Sequence, residues 1–135
     1  MAYTASALSF LLEGLAKPVV LTGSQIPLAR VRTDAHDNLL GALIVAARHR
    51  IPEVGLYFHH HLLRGNRSTK VDARKLDAFD SPALPPLVTV GTDVVVRRDL
   101  VLPPPSEPFR VVDALCPNVA ALRIYLGITA EVLVN

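Results

Sequence analysis

Apolar residues along the chain follow two rhythms, a helical spacing and short continuous runs, and together they predict alternating helices and strands. Ala5, Leu8, Leu12 and Leu15 recur at helical spacing and predict a helix over residues 3–16, stopped by Lys17-Pro18. No capping residue or strand precedes it, so the sequence is expected to begin within a fold. Val19-Val20-Leu21-Thr22 is a β-branched run of the kind found in parallel strands buried on both faces. A second helix is predicted over residues 35–49, capped by Asp34 or Thr33, with Leu39, Leu40, Leu43, Ile44 and Ala47 on its inner face.

The run Val54-Gly55-Leu56-Tyr57-Phe58 reads as a buried strand. Residues 88–96 and 100–102 suggest a β-hairpin or two short strands, turning near Gly91 and Arg97-Arg98-Asp99. Pro103-Pro104-Pro105-Ser106-Glu107-Pro108 marks the clearest boundary, a stiff linker. Beyond it, residues 119–126 read as another buried strand, and a helix is expected from Thr129 onward. No internal repeat is found.

Composition narrows the class. The 135 residues are about one domain's worth, half of them hydrophobic and 19% charged, which describes a globular chain. A net charge of +2, with arginines scattered and no interleaved aromatics, gives no case for nucleic acid. No segment reaches the ~18 uninterrupted apolar residues of a membrane span. The first residues carry no basic leader, and one cysteine, Cys116, excludes an internal disulfide framework. A cytoplasmic location is the expectation.

Chemistry is expected at Arg64-Gly65-Asn66-Arg67-Ser68-Thr69-Lys70, where a strand gives way to a turn, two hydroxyls and a lysine. A lysine held beside hydroxyls in a partly desolvated place can accept a proton from an alcohol. An ordinary basic surface loop is the alternative reading of these seven residues. Gly23-Ser24-Gln25 closes the first strand at its carboxyl end, where ligands bind in open α/β sheets. Neither a G-x-G-x-x-G nor a G-x-x-x-x-G-K-[ST] loop is present, which argues against a nucleotide-binding module. His59-His60-His61 tempts a metal assignment, but consecutive residues of an extended chain face opposite ways. His36 has no second ligand at helical spacing. No metal and no cofactor are expected.

These motifs resemble the bacterial-type L-asparaginase family, in particular the cytosolic type I enzymes and their animal asparaginase/lysophospholipase relatives. The resemblance rests on Met1-Ala2-Tyr3-Thr4-Ala5-Ser6, on the stretch from Lys17 to Pro27, on Asn38-Leu39-Leu40 and on Arg64 to Lys70. Asp77-Ala78-Phe79, Ser81-Pro82 and Ile124 to Ile128 add to it. It implies an α/β fold: an incomplete parallel-sheet N-terminal asparaginase domain over 1–102, an interdomain linker over 103–118, and the first strand and helix of the C-terminal α/β domain over 119–135.

The resemblance also implies a reaction, hydrolysis of the side-chain amide of L-asparagine to L-aspartate and ammonia by a threonine nucleophile with a Thr-Lys-Asp triad. Lys70 matches the catalytic lysine, and Ser24 and Gln25 match the loop that lines the substrate pocket. The family's Thr-Asp pair stands just before the residue matched by Met1, and its nucleophile loop lies further upstream. The 135 residues alone are therefore expected to be inactive. A homodimer or homotetramer is implied for the full-length form. Two other readings stand beside this one: a non-catalytic, subunit-like protein that associates with full-length asparaginase, and a lysophospholipase-type hydrolase. One departure is Ala35, where the family has glycine after its Thr-Asp or Ser-Asp. A strained turn is expected there if that glycine has positive φ.

Overall fold

In the computed structural model, residues 1–133 are described. Helix α1 spans Ala2–Leu11, shorter than its apolar spacing predicts. Leu12 leaves the helix with φ −107° and ψ 94°, and strand β1, Leu12–Glu13, follows. Gly14 then turns the chain at φ +66°, where an added Cβ would lie 2.5 Å from the carbonyl oxygen of Pro108. Leu12 and Leu15 still pack on the core, so their helical spacing reports burial without continuous helix.

Strand β2, Val19–Leu21, is followed by helix α2, Ala35–Arg48, and strand β3, Val54–Phe58. The two strands pair in parallel, Val19 with Val54 and Leu21 with Leu56, which makes a βαβ unit. Strand β4, His61–Arg64, runs back antiparallel to β3. A short 3-10 helix over Gly65–Arg67 leads into β5, Thr69–Lys70, which pairs antiparallel with β6, Phe79–Asp80. Strands β7, Val88–Val90, and β8, Val94–Val96, form the expected hairpin. The main sheet has the order β2-β3-β4-β7-β8. The class is α/β, as expected, but only the β2–β3 ladder of this sheet is parallel and the other three are antiparallel.

All five residues of β3 are buried, and their alternation divides the core in two. Val54, Leu56 and Phe58 pack with Ala5 of α1 and Ala78; Tyr57 packs with Ala42 and Val45 of α2, and with Ile51, Leu62, Leu87 and Val88. The inner face of α2 differs from the one read in the sequence. Asn38, Gly41, Ala42 and Val45 are buried, whereas Leu39, Leu40 and Leu43 are 51%, 60% and 57% exposed. The reason is a close approach: a Cβ on Gly41 would lie 2.1 Å from the Tyr57 hydroxyl oxygen, so only the small-residue face fits over the sheet.

Three further expectations are corrected. His59 and His60 are not extended but take φ +44° and +68°, the paired left-handed conformations of a two-residue hairpin turn between β3 and β4. Residues 119–126 form no strand, and Val119, Ile124 and Leu126 are 79%, 80% and 104% exposed. No described strand lies beside them, and a buried strand needs partners for its backbone. A short 3-10 helix covers Ala130–Leu133; the rest of the helix expected from Thr129 lies outside the described residues. Beyond the proline-rich stretch, β9, Arg110–Val111, pairs antiparallel with β1. Ala35 opens α2 without positive φ, so the strain expected from a missing glycine does not arise. Among the described residues, no helix is long and apolar enough to cross a membrane.

Candidate functional site

The carboxyl ends of β2 and β3 are tied together before any pocket begins. The Thr22 hydroxyl donates to the carbonyl of Tyr57 at 2.9 Å. Gly23, Ser24 and Gln25 then leave the sheet as a loop that α2 holds from beneath. Asp34 sits at the N-cap position of α2, yet its carboxylate does not cap the helix. Instead it accepts the N–H of Gln25 at 3.0 Å and that of Ile26 at 2.9 Å. Thr33 does the local capping, accepting the Ala35 N–H at 3.0 Å while donating to the Ile26 carbonyl at 2.9 Å. Burial pushes the Asp34 carboxyl up, but the N–H groups of Gln25, Ile26 and Asp34 itself, with the Asn38 amide, outweigh it. The net result is a carboxyl held below its ordinary value of 3.8.

Asn38 lies one turn further along α2 and is 3% exposed. Its amide nitrogen donates to the Gly23 carbonyl at 2.9 Å and to Asp34 at 3.1 Å, and its oxygen accepts the His59 N–H at 2.9 Å. One buried side chain therefore joins the Ser24–Gln25 loop to the β3–β4 turn. Composition alone did not reveal this role. The available signal was two polar residues four apart in the first turn of α2, on a face otherwise filled by small residues.

Lys70 reaches this loop from the far side of the chain. Its Nζ donates to Oε1 of Gln25 at 3.0 Å and lies 5.6 Å from the centroid of the Phe79 ring. The Gln25 amide nitrogen donates in turn to the carbonyl of Lys75 at 2.9 Å. A cleft of about 450 Å³ opens here, lined by Met1, Ala2, Tyr3, Gly23, Ser24, Gln25, Phe58, Lys70 and Phe79. Thus the structure brings together all three residues singled out in the sequence, Ser24, Gln25 and Lys70. The desolvated setting expected for the lysine is not what forms, because Lys70 is exposed. Nor do the neighbouring hydroxyls cluster on it: Ser68 donates to the Gly65 carbonyl at 3.0 Å. Thr69 precedes Lys70 in β5, so its side chain takes the opposite face. Arg67 is exposed, and His36 lies on the exposed first turn of α2. Among the described residues, no group of three His, Cys, Asp or Glu side chains is placed to hold a metal ion.

The family profile described as "Asparaginase, N-terminal" matches residues 1–102. The chain belongs to the asparaginase family. It is 52% identical to L-asparaginase 1 of Escherichia coli across 100% of its own length and 40% of that protein. It is 53% identical to the 60 kDa lysophospholipase of Mus musculus across 97% of its length and 23% of that protein. The crystal structure of L-asparaginase I from Vibrio cholerae superposes with a TM-score of 0.89 at 48% identity, covering 98% of this chain and 40% of that one. The chain thus spans from about a quarter to two fifths of the length of these relatives. Its fold is that of the matching part of an L-asparaginase.

Proposed function

We propose that this chain supplies the lysine and the substrate loop of an L-asparaginase site. The observation that carries the reading is the hydrogen bond from Lys70 to Gln25, which closes one cleft around Ser24, Gln25 and Lys70 at the carboxyl ends of the parallel strands. In the reaction, a threonine oxygen attacks the side-chain amide carbon of L-asparagine, the C–N bond breaks and ammonia leaves. Water then releases aspartate from the acyl intermediate. Lys70 moves the proton of the threonine–water system, and the Ser24–Gln25 loop holds the amide end of the substrate. The threonine and the Thr-Asp pair of the triad match no residue among the 135, so the chain by itself turns over no asparagine. The same reading divides the chain at residues 103–118, ahead of the start of a second α/β domain. It also places the longer protein in the cytosol as a dimer or tetramer.

The test is a hybrid in which these residues replace the matching stretch of the E. coli enzyme. Ammonia release from L-asparagine is expected from the hybrid and not from the 135-residue chain. Lys70→Met, which keeps an apolar stem but removes the proton-handling group, should lower kcat by about 10²–10⁴-fold. Arg67→Ala should do much less. A Lys70→Met hybrid with unchanged kcat sinks the assignment. The identity to the mouse lysophospholipase favours a second reading, ester hydrolysis of a lysophospholipid. Fatty-acid release from lysophosphatidylcholine by the same hybrid decides between the two.

A further inference from the structure

We infer that Asp34 is a positioning residue for Lys70, acting through Gln25; the inference rests on the site proposed above. Two hydrogen-bonded steps, joined through Gln25, connect them. The Asp34 carboxylate accepts the backbone N–H of Gln25 on both oxygens, at 3.1 and 3.0 Å, and that of Ile26 at 2.9 Å. The Gln25 side chain then has its amide nitrogen on the Lys75 carbonyl at 2.9 Å and its oxygen on Lys70 Nζ at 3.0 Å. Lys70 is an exposed side chain with a flexible four-carbon stem, and among the described residues this bond, beside the Phe79 ring, holds its ammonium.

Beside the Thr33 bond to the Ile26 carbonyl, the loop is held from beneath by two side chains of the α2 N-terminus. Gly23 offers its carbonyl to Asn38, and Gln25 and Ile26 offer their N–H groups to Asp34. Asn38 also donates to Asp34 at 3.1 Å, which restrains the carboxylate from the helix side. These bonds have an ionised acceptor and are about twice as strong as neutral ones. Replacing the carboxylate by an amide keeps the shape but removes the charge and turns one acceptor into a donor that faces other donors. The one oxygen that remains must then serve both N–H groups without charge, so the anchor at Gln25 weakens and the partner that orients Lys70 is displaced.

The test reads Lys70 directly in the 135-residue chain, with 15N-labelled glutamine and isoleucine and 13C-labelled lysine. Asp34→Asn is expected to shift both the Gln25 side-chain amide and the Lys70 Cε resonance, although Lys70 does not touch Asp34. In a Gln25→Leu background the same substitution should leave Lys70 unmoved, which a general loosening of the fold would not do. Should Asp34→Asn fail to fold, Asp34→Glu keeps the charge, displaces the acceptor by one methylene and must give the same two results. A Lys70 resonance unchanged by Asp34→Asn or Asp34→Glu, while the Gln25 and Ile26 backbone amides shift, overturns the inference and leaves Asp34 a loop clip. In the hybrid enzyme, Asp34→Asn should lower kcat at least about tenfold, with no further loss when added to Lys70→Met. A hybrid without any asparaginase activity counts against the proposed reaction alone, and the resonances still decide the role of Asp34.

Discussion

Arg64 and Glu53, eleven residues apart, hold each other where the β3–β4 hairpin meets the segment after β8. The guanidinium grips both carboxylate oxygens, the contact to Oε1 being 3.2 Å, and donates to the Leu100 carbonyl at 2.6 Å. Glu53, 6% exposed, also accepts the Leu102 N–H at 3.0 Å. Removing Glu53 leaves the Arg64 guanidinium, 18% exposed, without its carboxylate. Glu53→Ala should therefore destabilise the chain by about 1–3 kcal/mol. Equilibrium urea unfolding checks this, and a loss below about 1 kcal/mol would show that water replaces the carboxylate.

Gly65 is the second critical position on this hairpin, for packing and not for conformational freedom. A Cβ there would lie 2.8 Å from the Ser9 hydroxyl oxygen and 2.9 Å from the carbonyls of Ala5 and Val54. Two of those three atoms are backbone and cannot swing aside. Gly65→Ala should cost about 1–3 kcal/mol by pushing α1 off the sheet. Adding Ser9→Ala should recover only part of it, because the carbonyls stay. Thermal melts of the single and double variants provide the comparison.

Asp34 sets an acid limit for the Ser24–Gln25 loop. Its folded carboxyl titrates below the ordinary 3.8, so its stabilising bonds are complete above that value. They are lost as the pH falls from about 3.8 through the lower folded value. Exchange protection of the Gln25 and Ile26 amides should decline in that acid window, and Asp34→Asn should flatten the decline. Protection that persists unchanged down to the acid in which the whole chain unfolds would place the loop's anchor elsewhere.

Arg123 lies in the exposed stretch after β9 that has no regular structure, whereas Arg64 is sequestered by Glu53. Limited trypsin treatment of the 135-residue chain should cut after Arg123 well before it cuts after Arg64. Of the fragments that end at these two arginines, the one ending at Arg123 should therefore appear first on a mass spectrum. Early cleavage after Arg64 would mean that the ion pair opens in the native state.

Elements whose burial and local geometry agree were legible in the sequence. Helix α2 begins at residue 35 and ends one residue before its expected end, and β3 matches residues 54–58. Both owe their place to uninterrupted local signals. The failures come where a distant partner decides. Leu39, Leu40 and Leu43 are bulkier and more apolar than Gly41 and Ala42, yet Tyr57 takes the space on the other side and turns them outward. Leu12 leaves α1 because Val111, far along the chain, pairs with it. The cleft residues were found because motif and topology agree on the carboxyl ends of β2 and β3. The role of Asp34 was hidden, since an aspartate before a helix looks like a cap and only the fold shows its carboxylate facing the preceding loop.

The short pairing of β1 with β9 has a kinetic consequence. Its exposed Arg110–Glu13 contact joins residues 97 apart, and closing a loop of that length opposes folding by roughly 4 kcal/mol in chain entropy. A two-residue ladder with a surface ion pair worth about 0.2–1 kcal/mol cannot nucleate against that term. The pairing can form only after the core between its ends has already drawn the loop closed. Docking of β9 is thus expected to follow assembly of the core between its ends, and its release to precede the unfolding of that core.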